Sequence, residues 1–161
     1  MLSMLLNRRL RVLFNAVLGA VTIIPAWRKN MEHLGACLCG SVTFKVEGIF
    51  DRFVLCHCSR CRKSSGSAHG ANLFSSTAKF EWLSGQAKVQ TYKLPQSRYA
   101  RCFCSICGSA MPFVSSKLVV VPAGCLDTRL ESVPNAHIFV ASRADWDKAL
   151  ERIPAFDAYP A

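Results

Sequence analysis

The chain has 161 residues, 51% of them hydrophobic, which is enough for the core of one domain. Its formal charge is +10, and Arg8, Arg9, Arg11, Arg28 and Lys29 carry half of it within a first thirty residues that hold no acid. Nine cysteines are an odd number and a smaller share than a disulfide scaffold uses, which argues against a stapled secreted framework and for a reducing, cytoplasmic setting.

Residues 1–30 form a basic and apolar N-terminal extension, and residues 31–161 read as the domain proper. The apolar run over 12–27 is interrupted by Asn15 and Pro25 and falls short of the roughly 20 residues of a comfortable membrane span. Its basic flanks suit a targeting presequence or a helix lying on a surface, so weak membrane association through residues 1–30 stays open.

From Gly35 onward the pattern turns short and strand-like. Val42, Phe44 and Val46 alternate with Thr43 and Lys45, and the apolar segment 50–55 leads straight into Cys56. Phe80 and Trp82 alternate with Lys79 and Glu81 before the Ser84-Gly85 turn, 89–94 gives a further strand, and 98–103 runs into the last cysteine group. The segment 118–123 reads as a buried strand with Pro122 at its end, and 138–141 offers one more. A helix is expected over 144–153, with Ser142 as N-cap, Asp145 three positions on and Pro154 as the stop. Many turns and only one helix favour antiparallel strands over a βαβ fold.

Eight of the nine cysteines lie in short groups: Cys37 and Cys39 in ACLCGS, then Cys56, Cys58 and Cys61 in CHCSRC, then Cys102, Cys104 and Cys107 in CFCSIC. Two cysteines one residue apart on an extended strand separate their side chains by roughly 6 to 7 Å, which is awkward for a disulfide. Thiolates converging from distant segments instead suit Zn²⁺. The spacing does not partition the ligands: Cys37 and Cys39 could share a metal with Cys104 and Cys107 or with the central triplet. Four thiolates close a structural site, whereas three leave a position for water or a substrate thiol, which makes Cys56, Cys58 and Cys61 the more interesting group.

Other residues carry weaker signals. Alternation turns His57 away from its neighbouring cysteines, toward a supporting or exposed position. His69, after KSSGS, could enter the same pocket from a loop, and His137 reads as a structural histidine. Cys102 and Cys125 read as small buried hydrophobes, although Cys102 shares a strand face with Cys104 and could approach a metal. Asp127 is expected to accept backbone hydrogens in an Asx turn, and Trp146 to pack in the core. Arg60, Arg62 and Lys63 bracket the central group as a solvated face or as a trap for the carboxylates of an anionic thiol.

Taken in order, GACLCGSV, CHCSRCRKSSG, RCFCSICGS, AGCLD and PNAHIFVASRADW resemble the glutathione-dependent formaldehyde-activating enzyme family, whose relatives include the zinc domain of centromere protein V. The resemblance runs from about residue 35 to residue 156. It implies a mainly β, antiparallel, tent-like zinc-binding fold, here with one short C-terminal helix, and two zinc ions per chain. It further implies that Cys37, Cys39, Cys104 and Cys107 hold a structural zinc while Cys56, Cys58 and Cys61 hold a catalytic one. The activity implied is that of a carbon-sulfur lyase, S-hydroxymethylglutathione synthase-like, joining glutathione and formaldehyde or a related thiol and aldehyde. His57, His69 and water are the candidates for the proton donor.

The alternative from a different class is a non-enzymatic zinc module that binds glutathione or a macromolecular partner. Nucleic acid is the disfavoured partner, because the chain has no RNA-reading aromatic motif or basic recognition helix and much of its excess charge lies outside the cysteine-bearing region. Oligomeric state is not legible.

Overall fold

The computed structural model describes residues 31–160. In chain order its elements are β1 (Glu32–Ala36), β2 (Thr43–Glu47), β3 (Arg52–Cys56), helix α1 (Ser59–Ser65), β4 (Gly70–Ser75), β5 (Lys79–Ser84), β6 (Val89–Lys93), β7 (Ala100–Cys104), β8 (Ala110–Met111), β9 (Phe113–Val114), β10 (Val119–Pro122) and β11 (Ala136–Ile138). They form three sheets, ordered β1-β2-β5, β11-β3-β4-β10-β9 and β6-β7-β8. The expected mainly β, antiparallel architecture is what folds.

The alternation in β2 has the predicted effect. Phe44 and Val46 are fully buried, while Lys45 faces outward among Glu32, Glu47 and Glu81 at 3.9, 2.9 and 3.3 Å. Across the strand pair Phe44 sits 5.6 Å from Phe80 and 6.0 Å from Trp82, stacked on the first and edge-on to the second. This aromatic face joins Leu73 of β4, Met111 of β8, Val119 and Val121 of β10, and the buried Cys104 in one core that all three sheets share.

Two departures from the sequence reading concern the C-terminal third. The helix expected over 144–153 does not form; the short α-helix lies instead at Ser59–Ser65, and the C-terminal segment makes only 3₁₀ turns at Val140–Ser142 and Leu150–Arg152. The reason is local and tertiary together. Ala149 takes a left-handed conformation (φ +53°) that breaks the helical ladder, and Asp147 is pulled inward to bond His57. Ser142 therefore ends a 3₁₀ turn and caps no helix. Trp146, expected in the core, is 61% exposed because it lies beside the inward-turned Asp147 rather than on an apolar helix face.

The strand expected over 138–141 ends at Ile138, since Phe139 also takes a left-handed conformation (φ +56°). What remains, β11, pairs with β3 in parallel, matching His137 to Leu55 and Ile138 to Cys56. It is the one parallel pair among the described strands, which all otherwise run antiparallel to their neighbours. No helix of the described residues is long and apolar enough to cross a membrane; the membrane association weighed for residues 1–30 lies outside the described residues.

Candidate metal and thiol site

Two tight turns build the first sulfur group. After β1 the chain folds back with Cys37 N–H donating to Val42 C=O at 3.0 Å and Gly40 N–H to Cys37 C=O at 2.9 Å. After β7 it does so again, with Gly108 N–H donating to Cys104 C=O at 2.8 Å. Gly40 and Gly108 close these turns at φ +70° and +75°, where a side chain would be strained, which accounts for the glycine after each cysteine motif. Leu38 N–H donates to Ser109 Oγ at 3.0 Å and locks one turn against the other. The Sγ atoms of Cys37, Cys39, Cys104 and Cys107 consequently lie within 4.8 Å of one another.

The second group is set by β3 and α1. Cys56 ends the strand, Cys58 is the helix N-cap, and Cys61 lies in the first turn, its N–H pointing at Cys58 Sγ at 3.4 Å. Helix α1 rests so close to β4 that a Cβ at Gly70 would lie 3.2 Å from that of Cys61. These three Sγ atoms also lie within 4.8 Å of one another.

The sulfur geometry fits zinc. Zn–S bonds of about 2.3 Å in a tetrahedron put neighbouring sulfurs about 3.8 Å apart. The nearest pairs stand at 3.5 Å (Cys37 and Cys39), 4.0 Å (Cys39 and Cys104) and 3.6 Å (Cys56 and Cys58). The thiols are also biased by their surroundings. The Ser109 hydroxyl and backbone bring Cys107 down to about 5, and the Ser41 hydroxyl lowers Cys39. At the second group burial pushes Cys58 up, but hydrogen bonds from Cys61 and its neighbours outweigh it and leave the thiol at about 7. Burial raises Cys56 and Cys61.

Four sulfurs complete a tetrahedron in the first group, and the second offers three. His57 does not supply the fourth. Its ring is 1% exposed and turned away from the sulfurs, with Nδ1 2.7 Å from Asp147 Oδ2 and Nε2 2.8 Å from His137 Nδ1. With the carboxylate accepting from Nδ1–H, Nε2 is left to accept from His137, so one tautomer satisfies the whole chain. Arg143 Nε approaches the same Asp147 oxygen at 3.5 Å. His69 completes the cluster 5.3 Å from the His57 ring, and burial lowers its pKa. His57, His69 and Asp147 also have metal-ligand spacing, but both His57 nitrogens are already engaged.

A cavity of about 940 Å³ opens between the sulfur groups, touching Cys37 on one side and Cys61 on the other. His69, Asn72, Tyr99 and Arg101 line it as well. The sequence did not single out Asp147, Asn72 or Arg101. For Asp147 the signal was adjacent, since the recognisable PNAHIFVASRADW stretch stops one residue short of it.

The remaining candidates belong to neither sulfur group, although Cys102, Cys125 and Asp127 also touch the cavity. Cys102 is buried against Thr91, Sγ to Oγ1 3.2 Å, and is no member of the four-sulfur group. Cys125 donates its S–H to Pro122 C=O at 2.9 Å, and burial pushes its thiol up to about 12. Asp127 forms no Asx turn: its side chain makes no hydrogen bond among the described residues, and its backbone N–H donates to Leu34 C=O at 2.9 Å. Arg60 reaches Ser97 at 3.4 Å and lies over the Tyr99 ring, and neither it nor Arg62 nor Lys63 lines the cavity.

A mainly β protein with two cysteine groups spaced as metal ligands is the class that the fold and the sulfurs define. The description "Glutathione-dependent formaldehyde-activating enzyme" matches residues 32–142, more than half of the chain, and the chain belongs to that family. It is also similar to a solved crystal structure of a Rhodobacter sphaeroides protein, at 24% identity and a TM-score of 0.47, over 63% of this chain and 97% of that one.

Proposed function

We propose that the protein joins glutathione, or a closely related thiol, to formaldehyde and catalyses the reverse cleavage, as a carbon-sulfur lyase dependent on two zinc ions. The observation that carries this reading is the three-sulfur group Cys56, Cys58 and Cys61 beside a cavity large enough for a peptide thiol. Cys37, Cys39, Cys104 and Cys107 would hold the structural zinc and join the turn after β1 to the turn after β7. A zinc held by the central three would supply a Lewis-acidic position that favours the thiolate form of a thiol ligand.

The chain's own groups would manage the proton. The thiolate sulfur forms a bond to the aldehyde carbon, the C=O electron pair moves to oxygen, and that oxygen takes a proton. His69 would carry the transfer: it lines the cavity, and burial lowers its pKa, which favours the neutral ring that can accept the thiol proton and return it to the new hydroxyl. His57 is committed on both nitrogens and supports the loop instead.

The test is zinc quantification with zinc K-edge absorption on reduced protein, with and without glutathione, alongside exchange of ¹³C-labelled formaldehyde into its glutathione adduct. Two zincs, a glutathione-dependent rise in sulfur coordination and exchange faster than the uncatalysed mixture are expected. Two fully sulfur-coordinated zincs, unchanged by glutathione and without accelerated exchange, would replace this reading with that of a non-enzymatic zinc module.

A further inference from the structure

The positive charge that faces the cavity is not the one the sequence points to. Arg60, Arg62 and Lys63 flank the central cysteines in the chain, yet helix α1 carries all three away from the cavity lining, whereas Arg101 of β7 lies in it. Arg101 is held in place without being satisfied. Its guanidinium lies over the Phe103 ring, 5.5 Å from the centroid, and Nη2 makes one long contact, 3.4 Å, to Gly108 C=O. Its Nε is buried with no hydrogen-bond partner, and no carboxylate lies within 4.0 Å of it among the described residues. Asp127 touches the same cavity but forms no ion pair with it.

A guanidinium offers five N–H donors in a planar fork that matches a carboxylate, and leaving a buried donor unpaired is unfavourable. Stacking on Phe103 fixes the plane of the fork before any ligand arrives, which reduces the ordering needed on binding. Cys61 and His69 line the same space, so a ligand whose sulfur reaches the central cysteines can present an anionic group to β7. We infer that Arg101 is the anion-recognition residue of this cavity and selects thiols that carry a carboxylate over neutral thiols of similar size. This rests on the thiol-binding reading above and adds to it the residue that sets ligand class.

The experiment varies the ligand first and the protein second. Binding of glutathione, its diethyl ester and 2-mercaptoethanol to the zinc-loaded wild type is measured by calorimetry, and KM and kcat for each thiol by formaldehyde exchange. The same series is run on Arg101→Lys and Arg101→Met after zinc content and melting temperature are checked. The inference expects the diester to bind at least about tenfold more weakly than glutathione in the wild type. It expects Arg101→Met to lose that preference through KM with little change in kcat, and Arg101→Lys to recover part of it. Equal affinity of glutathione and its diester for wild-type protein would overturn the assignment even if neither variant folds, as would a preference for glutathione that survives unchanged in Arg101→Met. If no thiol binds the wild type at all, the thiol-binding reading itself fails, an outcome distinct from a thiol site that ignores the carboxylate.

Discussion

His57 and Asp147 meet at 2.7 Å across 90 residues of chain, and the histidine concerned sits between two of the three central cysteines. The backbone that spaces Cys56 from Cys58 is thereby held from the C-terminal segment. Asp147→Ala should leave His57 buried without its acceptor, a loss of about 1–3 kcal/mol in urea unfolding. The central sulfur group should then release zinc to a chelator about 10- to 100-fold more readily, as when groups supporting metal ligands are removed, while the four-sulfur group keeps its ion. Equal release from both groups would remove His57 from this supporting role.

The two sulfur groups should answer differently to substitution. Cys104 is fully buried and helps join the turn after β1 to the end of β7, so Cys104→Ser should cost most of the folded near-ultraviolet circular dichroism signal. Cys58→Ser should preserve that signal, lower the zinc content to one ion per chain and abolish formaldehyde exchange. Chelation should accordingly proceed in two phases, with loss of activity in the first and loss of structure in the second.

Cys125 gives a stability signature at high pH. Its thiol is raised to about 12 in the fold, whereas an unfolded cysteine titrates near 8.5. Between those values the unfolded chain has released a proton that the folded chain retains, so stability falls as pH rises. Cys125→Ala should show a shallower alkaline decline than wild type in urea midpoints measured from pH 8 to 11. Parallel profiles would contradict the raised thiol. The same raised thiol predicts that iodoacetamide labels Cys125, which touches the cavity, far more slowly in the folded protein than after unfolding.

Phe44 tests the core. It is fully buried between Phe80 and Trp82, and Phe44→Ala should cost about 3–5 kcal/mol of unfolding free energy with little rearrangement of either sulfur group. Zinc content would be the check on the second clause.

The strands and cysteine groups were legible because their signals are local. Alternation in Val42, Phe44 and Val46 needs no knowledge of the partner strand, and glycine after Cys39 and Cys107 marks a turn wherever the turn lies. The C-terminal segment was illegible for the opposite reason. Nothing around Ala144 shows that Asp147 will bond a histidine just past the end of β3, and that bond together with the left-handed Ala149 outweighs a sequence otherwise suited to a helix. The charge near the cavity misled similarly. Arg60, Arg62 and Lys63 are close to the central cysteines along the chain, but Arg101 reaches the cavity from another sheet.

The placement of Asp147 also separates what identifies this protein from what completes it. A chain cut after residue 142, where the family match ends, would retain all seven sulfurs of the two groups and still lack the carboxylate on which His57 hangs. Such a fragment would look intact by every cysteine motif and carry a central cysteine loop without its C-terminal anchor.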